Sequence, residues 1–479
     1  MPLPWIIVFL PWLGALALAA IPAERLAARV NIAIAAASFL LSLLLFGYPH
    51  GEQGWTRVDA LNIPFVVLSA FVGLTTAVFS AGQIAAEGFD TPRLRAYHLA
   101  FQGFLGAQAL ALLSDNLGVM WVAIEIATLA SVLMVAAHRT PAAIEAAWKF
   151  FILCGVGIAL ALFGTIVLYL AAQPVAGVGD PGLSWAALRA VAAQCDEGLL
   201  NLAFVFLLVG YGTKAGLVPL HSWLPDAEAE GPITISAVLS GLLLNAALMA
   251  VLRAKAIVAA HPGTVAPGPF LIALGLASVL LAGLALWRRA DARRFFAWSS
   301  IAHMGVAAFA FGFGGAVAAL AGLLHMAGHS VVKSAIFFGV GLAARLKGSQ
   351  RLADIGGLVA THPALGWGLA VAVVAVAGMP PFVMFTSEVL LLQETAARAW
   401  WLALPLGAGL FLTVAAKIAT LQQMCLGDPT PDAPQPPDRM ASLTALVPLW
   451  LHLGLALLLG LLMPAMVSAL LAEAARMLQ

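Results

Sequence analysis

The chain has 479 residues, of which 62% are hydrophobic and only 9% are charged, and its mean hydropathy is +1.00. This composition excludes a soluble globular protein and predicts an all-α integral membrane protein. Because 23 Lys and Arg nearly balance 22 Asp and Glu, the charge indicates neither a nucleic acid nor an acidic partner. Cys154, Cys195 and Cys425 have no metal or disulfide spacing, so we expect no redox cofactor within this chain.

Apolar runs along the sequence predict about 14 transmembrane helices with short connections, since each spanning helix needs about 20 apolar residues. The predicted spans are 4–20, 27–47, 61–84, 96–113, 115–137, 145–172, 198–219, 233–255, 268–287, 295–315, 317–345, 364–392, 400–423 and 441–471. The first run lacks the basic flank and cleavage site of a signal peptide, so we expect it to be a retained helix.

Lys and Arg between these spans lie mostly in the odd-numbered loops, for example Arg139, Arg294 and Lys347. The positive-inside rule then places the odd loops in the cytoplasm. With an even number of helices, both termini are predicted on the outer, periplasmic face of the cell inner membrane.

Four further lysines, Lys149, Lys214, Lys333 and Lys417, lie within or close to predicted spans. A charge at the bilayer centre costs at least about 2.5 to 3.5 kcal/mol, so such residues normally face the protein interior and often mark an ion path.

A short internal repeat links two of these lysines. KFFILCGVGIA begins at Lys149 and KSAIFFGVGLA begins at Lys333, and a proline-interrupted stretch follows each copy, Gly216–Pro225 and Ala377–Glu388. Repeated bundles with broken helices are typical of secondary transporters. Chance similarity between two Gly-rich apolar helices stays open as the alternative.

Glu125 lies in the middle of span 115–137, where a carboxylate must find a partner or bind a proton. Lys214 is its predicted partner, and changes in that pair would bind or release a proton. A static buried ion pair that only fixes helix packing is the alternative.

His325, His329 and Lys333 follow one another at four-residue steps, which places them on one helix face. We interpret this stripe as a proton relay because histidine titrates near neutral pH. His303 extends the stripe or is a hydrogen-bonded core histidine. Zinc binding by His325 and His329 is disfavoured, since no third ligand follows at a familiar spacing.

Two charged residues near the second break are candidates for closing the path. Glu388 is the stronger candidate, whereas Lys417 either joins it or extends to the membrane interface. His221 and the carboxylates Asp226, Glu228 and Glu230 follow the first break. They are expected to be a solvated edge, with a proton antenna or a subunit contact as alternatives.

Three strings resemble the antiporter-like subunits of respiratory complex I, Mrp cation/proton antiporters and membrane-bound hydrogenases. They are GTKAGLVPLHSWLPDAEAEGP, SDNLGVMWVAIEIATLAS and HMAGHSVVKSAIFFGVG. EAAWKFFILCGVGIALALFGT, SGLLLNAALMAVLR and GMPPFVMFTSEVLLL look most like the F subunit of hydrogenase-4.

The resemblance implies 14 helices in two inverted five-helix repeats with broken helices 7 and 12. The implied segments are 1–95 for helices 1 to 3, 96–260 for helices 4 to 8, 261–425 for helices 9 to 13, and 426–479 for a loop and helix 14. It also implies a proton path through Glu125, Lys214, His325, His329, Lys333 and Glu388. Many complex I relatives carry a lysine in helix 8, where this chain has Asn245, which cannot titrate.

The leading hypothesis is therefore a proton-translocating subunit of a hydrogenase-4, formate hydrogenlyase or complex I type of redox complex. The implied partners are other membrane subunits and a peripheral redox module carrying Fe-S centres, with Ni-Fe centres left open. The alternatives are an Mrp-type cation/proton antiporter subunit, with sodium in place of protons left open, or an ion-conducting membrane partner of an inorganic-carbon uptake complex.

Overall fold

The computed structural model describes residues 2–433 and 443–478, except for the side chains of 85, 86, 443 and 444. Most of this described chain is helical. The α-helices are α1 Leu3–Ala20, α2 Glu24–Leu43, α3 Ile63–Gln83, α4 Thr91–Leu113, α5 Leu117–Val135, α6 Pro141–Ala176, α7 Trp185–Val191, α8 Glu197–Lys214, α9 Trp223–Glu230, α10 Ile233–Val238, α11 Leu244–Val258, α12 Pro267–Leu286, α13 Ala292–Phe313, α14 Ala316–Lys347, α15 Leu358–Thr361, α16 Pro363–Val376, α17 Val383–Leu421, α18 Leu443–Leu461 and α19 Ala465–Met477. One short antiparallel hairpin, β1 Gly51–Gln53 and β2 Thr56–Val58, lies between α2 and α3.

Within the described residues, ten helices are long and apolar enough to cross a membrane, or up to twelve if each of two bent pairs is one span. The prediction of an all-α multi-span membrane protein is confirmed, while the count of about 14 stays a prediction. Spans 96–113 and 198–219 coincide with α4 and α8, which are not among the ten. Helix α17 contains the end of predicted span 364–392 and most of span 400–423, and its backbone leaves the helical conformation between them at Ala399.

The last predicted span, 441–471, is wrong as one straight helix. Residues 441 and 442 lie outside the described residues, and the rest forms α18 and α19, which meet at a bend of 73°. Pro464 precedes α19, and a proline disfavours helical geometry in the residue before it, so the bend falls at this position.

Capping side chains fix several helix starts. Each accepts a hydrogen bond from a backbone N–H of the first turn that has no helical partner. These residues are Asp90 for α4, Asn116 for α5, Thr140 for α6, Ser184 for α7, Asp196 for α8 and Asp291 for α13.

The two predicted breaks are present and contain a glycine with positive φ. Helix α8 ends at Lys214, earlier than predicted, and Gly216 follows with φ +73°. Helix α16 ends at Val376, and Gly378 follows with φ +68°. L-residues with side chains rarely adopt this conformation, so glycine is favoured at both positions. The prolines in each break offer no N–H, which prevents helix continuation.

The innermost helices are α10, α11 and α14. The apolar windows of Ile233–Val258 and Ala316–Lys347 are fully buried within the protein, whereas that of the peripheral Glu24–Gly47 is only 28% buried. A π-helical turn, Leu239–Leu243, joins α10 to α11. Polar side chains on these inner helices are therefore shielded from lipid by the surrounding protein.

Candidate functional site

Two histidines from α13 and α14 contact each other in the protein core. The Nδ1 atom of His303 lies 3.1 Å from Nε2 of His325, and both residues are buried. The other ring nitrogen of His303 lies 2.9 Å from the Lys417 ammonium. Because the ammonium is a donor, it fixes this nitrogen of His303 as the acceptor. His303 then carries its proton on Nδ1 when neutral and can donate it to His325.

Glu388 closes this cluster at the second helix break. Its Oε1 atom lies 3.9 Å from Nδ1 of His303. Lys417 also donates to the carbonyl of Val376 at 2.8 Å, a group that the end of α16 leaves without a helical partner. The sequence left open whether Lys417 joins the path or extends to the membrane interface. The structure places its ammonium in the core beside His303.

Lys333 lies two turns farther along α14 from His325. Its ammonium donates to the Phe296 carbonyl at 2.6 Å and is completely buried. The ring of His329 lies between the two ends of this stripe, with its centroid 5.7 Å from that of His303. Neither ring nitrogen of His329 has a hydrogen-bond partner among the described protein atoms. Separate waters, one at each nitrogen, would satisfy the ring and join Lys333 to the cluster.

Glu228 is a buried acid that the sequence analysis wrongly assigned to a solvated edge. It lies in α9, outside the candidate spans, and has no exposed surface. Burial raises its pKa to about 8, and the Lys333 charge, the nearby Ser240 hydroxyl and the Arg293 charge oppose that rise only in part. Neither carboxylate oxygen has a hydrogen-bond partner among the described protein atoms. The group can therefore bind and release a proton beside Lys333 near neutral pH.

Asn245 connects α11 to the central helix α14. Its Nδ2 atom donates to the Met326 carbonyl at 3.0 Å and to the Ser330 hydroxyl at 2.7 Å. The Ser330 hydroxyl donates in turn to the Gly241 carbonyl in the π-helical turn. Asparagine does not titrate, so Asn245 can contribute to proton movement only through these hydrogen bonds or through water.

The predicted pair of Glu125 and Lys214 is close but not joined by an ion pair in the described chain. The Lys214 ammonium is fully buried, donates to the Thr128 hydroxyl and lies 5.1 Å above the Phe150 ring. Glu125 is half-buried on the same helix as Thr128, and its Oε2 atom lacks a hydrogen-bond partner. The two charges interact electrostatically across this short separation.

Lys149 and His221 have no hydrogen bond or ion pair with the buried titratable cluster among the described residues, although His221 is itself buried. Lys149 is 47% exposed and forms ion pairs with Glu145 at 2.7 Å and Asp226 at 3.1 Å. Arg294 binds Asp226 and Glu230 in the same surface network. His221 packs edge-to-face against Trp298, and burial lowers its pKa.

The ligand atoms of His303, His325 and Glu388 lie within 4.8 Å of one another, a spacing that could suit a metal ion. The sequence considered a different pair, His325 and His329, and His329 is not part of this group. The Lys417 ammonium beside His303 repels a divalent cation at this position. The geometry and charge of this cluster therefore favour proton exchange over metal binding.

The chain is similar in sequence and fold to known membrane proteins. Residues 114–414 match the family described as NADH:quinone oxidoreductase/Mrp antiporter, transmembrane. The chain belongs to this family. The resemblance inferred from the sequence strings is thus confirmed, and the chain is an antiporter-like membrane subunit.

Family members include curated relatives that align over most of their length. The hydrogenase-4 component F homolog of Methylacidiphilum infernorum is 49% identical over 431 residues, which cover 89% of this chain and 90% of the relative. NADH-quinone oxidoreductase subunit 14 of Thermus thermophilus is 31% identical over 449 residues, 92% of this chain and 93% of the relative.

The fold of this family member also matches a solved chain of the membrane-bound sulfane sulfur reductase, an archaeal respiratory membrane complex. The TM-score is 0.87 at 22% identity, with 99% of this chain and 97% of that chain covered. The names of these proteins describe components of multisubunit membrane complexes, as the sequence resemblance implied.

Proposed function

We propose that this chain is the proton-translocating subunit of a membrane-bound redox complex of the hydrogenase-4, formate hydrogenlyase or complex I type. Electron transfer would take place in partner subunits that hold the Fe-S centres and, in the hydrogenase case, Ni-Fe centres. The observation that carries the proposal is the buried series of titratable groups from Lys333 through the three histidines to Glu388.

Proton movement in the second half uses the cluster as a relay. His303 can accept a proton at Nε2 from the Lys417 ammonium and release one from Nδ1 towards His325 or Glu388. The exchange conserves charge within the cluster, which matters because an extra charge is costly in a buried site. Glu388 is the most exposed member of this cluster, at 9% against 1–2% for His303, His325 and Lys417, so we assign it the exit.

The first half uses the Lys214 ammonium as a switch. In the structure the ammonium binds the neutral Thr128 hydroxyl, one helical turn from Glu125. A shift of Lys214 towards Glu125 would favour its charged form, and a shift away would favour loss of its proton. Alternation between these two positions couples a movement of α8 to the protonation state of Lys214.

We also propose the architecture that accompanies this mechanism. Fourteen helices would form two inverted repeats, helices 4 to 8 in 96–260 and helices 9 to 13 in 261–425, preceded by 1–95 and followed by 426–479. The similar breaks after Lys214 and after Val376, each with a left-handed glycine, support this equivalence. Both termini would face the periplasm.

Proton pumping by the assembled complex in inverted membrane vesicles, followed with a pH-sensitive dye after addition of the electron donor, tests the proposal. Lys333→Met should abolish proton uptake, because it removes the central titratable group while keeping a long side chain. Lys149→Met is the matched control, since this repeat-related lysine lies in the surface network. Full proton uptake by Lys333→Met would overturn the proposal.

The second candidate is an Mrp-type cation/proton antiporter subunit, which the matched family also includes. The two candidates differ in what drives proton movement, which is exchange for a cation in the Mrp type and electron transfer in the redox complex. Sodium-dependent proton exchange in vesicles without any electron donor would favour the Mrp type, whereas donor-dependent uptake that is indifferent to sodium favours the redox complex.

A further inference from the structure

A cavity of about 380 Å³ with a mixed polar and apolar lining lies where the end of α5 approaches the start of α13 and the end of α14. Its lining includes Glu87, His138, Arg293, Ser349 and Gln350, and the exposed Gly348 lies at its rim. A volume of this size holds several waters, and the ionisable lining supplies the polar partners that such waters need.

The cavity contains a histidine and carboxylate pair. The Nε2 atom of His138 lies 2.8 Å from Oε2 of Glu87, and both side chains are partly exposed. The Nδ1 atom of His138 lies 3.1 Å from the Glu230 carbonyl, so the ring contacts the last residue of α9. A carbonyl only accepts, which requires a proton on Nδ1 and leaves Nε2 free to exchange protons with Glu87.

Arg293 connects the cavity to the buried end of α9. Its NH2 group donates to the Gly231 carbonyl at 2.5 Å and to the Ser236 hydroxyl at 2.6 Å. The Ser236 hydroxyl donates to the backbone carbonyl of Glu228 at 2.6 Å. Arg293 is 2% exposed, yet its Nε atom lacks a hydrogen-bond partner among the described protein atoms, as do both carboxylate oxygens of Glu228.

These unpartnered atoms need water, because a buried polar group without a hydrogen bond costs roughly 1 to 3 kcal/mol. The charges of Lys333 and Arg293 both act on the Glu228 carboxylate, so Glu228 lies near the central lysine and near the arginine that lines the cavity. A water chain from the cavity past Arg293 would satisfy the orphan atoms and conduct protons at the same time.

We propose that this cavity is the entrance through which protons reach Glu228 and then Lys333, with the Glu87 and His138 pair collecting them at its mouth. This inference rests on the proposed function and identifies the side of the membrane from which protons are taken up. Arg139, Arg294 and Lys347, which the sequence places on the cytoplasmic face, lie near the same helix ends, so uptake is from the cytoplasm.

The proton balance is simple. The Glu87 and His138 pair takes one proton from bulk water and passes one into the cavity water. Glu228 takes up one proton and gives one to Lys333 after the Lys333 ammonium has passed its own proton on towards the histidine cluster. Arg293 keeps its proton throughout, since a guanidinium does not deprotonate in proteins, and its charge excludes other cations from the channel.

The first test measures donor-driven proton uptake in inverted vesicles for the double variant Glu87→Gln, His138→Gln. We expect the initial rate to fall about tenfold, because a positioned acid-base group speeds proton transfer by about 10² or more and water replaces only part of that. The matched control is Glu473→Gln, His50→Gln, which removes an exposed pair with 3.7 Å between His50 Nδ1 and the carboxylate. This control should keep the full rate.

The second test blocks the cavity in folded protein. Gln350→Cys keeps the backbone carbonyl that accepts from the Ala292 N–H, and a bulky charged thiol reagent attached there should lower proton uptake several-fold. Removal of the label by a reductant should restore the rate. The native cysteines are buried, and labelled Thr361→Cys, exposed at the same end of the molecule, should pump normally.

Lys333→Met measured in parallel separates the two levels of inference. If Lys333→Met is inactive while the double variant and fully labelled Gln350→Cys pump at the normal rate, the entrance is wrong and the proposed function stands. If Lys333→Met pumps normally, the proposed function itself fails.

Discussion

We expect Gly378→Ala to inactivate proton transport because the new side chain displaces the Glu388 carboxylate. Gly378 has φ +68°, and a Cβ atom there would overlap the Glu388 carboxylate. The left-handed backbone alone costs an L-residue about 1–2 kcal/mol. Nonbonded carbon atoms approach to about 3.5 Å, so the carboxylate must also move by more than about 1 Å. A displacement of that size lowers the rate of a positioned reaction by up to about a hundredfold.

The assay combines thermal unfolding of the purified complex with donor-driven proton uptake in vesicles. Gly54→Ala is the control, because this hairpin glycine has φ +64° and open space around the position of a Cβ atom. Both variants should lose about 1–2 kcal/mol of unfolding free energy. Only Gly378→Ala should also lose at least about tenfold in the rate of proton uptake. Uptake within twofold of the parent for folded Gly378→Ala would refute the placement of Glu388 in the path.

Three other substitutions test separate groups. Lys214→Ala should abolish pumping, measured as dye quenching in vesicles, and intact pumping would exclude Lys214 as the switch. Glu388→Gln should lower the same signal, and full activity would remove Glu388 from the path. For Glu228, the folded pKa of about 8 lies above the unfolded value, so ionisation opposes folding. The parent should lose stability relative to Glu228→Gln as pH rises from about 4.5 to 8, on the order of a few kcal/mol. Parallel pH profiles of unfolding would contradict that reasoning.

The stripe on α14 was predictable because its evidence is local. His325, His329 and Lys333 are four residues apart on one uninterrupted helix, and helix geometry alone places them on one face. Their contacts with His303 and Lys417 depend on how α13 and α17 pack against α14. No pattern within a single helix reports that packing, so the sequence left both residues undecided.

Glu228 was missed although a signal for it exists. In WLPDAEAEGP, Asp226 and Glu230 are four residues apart and share a face of α9, where both bind Arg294. Glu228 lies midway between them and therefore points to the opposite, buried side. The acidic composition indicated a solvated edge, whereas the helical spacing within it separates one inward carboxylate from two outward ones.

The internal repeat gave a misleading indication of where Lys149 lies, for a related reason. The two matching strings align Lys149 with Lys333, yet Lys149 lies in the third turn of α6 and Lys333 lies midway along α14. A sequence match conserves side-chain order and face, but not the depth at which a helix enters the membrane. Lys149 therefore reaches surface carboxylates, while Lys333 reaches the Phe296 carbonyl in the core.

The two halves of the proposed path differ in a way that bears on coupling. In the second half, hydrogen bonds of about 3 Å join Lys417 to His303 and His303 to His325, so protons can redistribute without backbone movement. In the first half, the Lys214 ammonium is bound to the Thr128 hydroxyl and not to Glu125. Proton transfer there requires Lys214 to change partner, and Lys214 is the last residue of α8 before the break. On the proposed mechanism, a partner complex that moves this break would control the first half directly, and the second half would respond through charge alone.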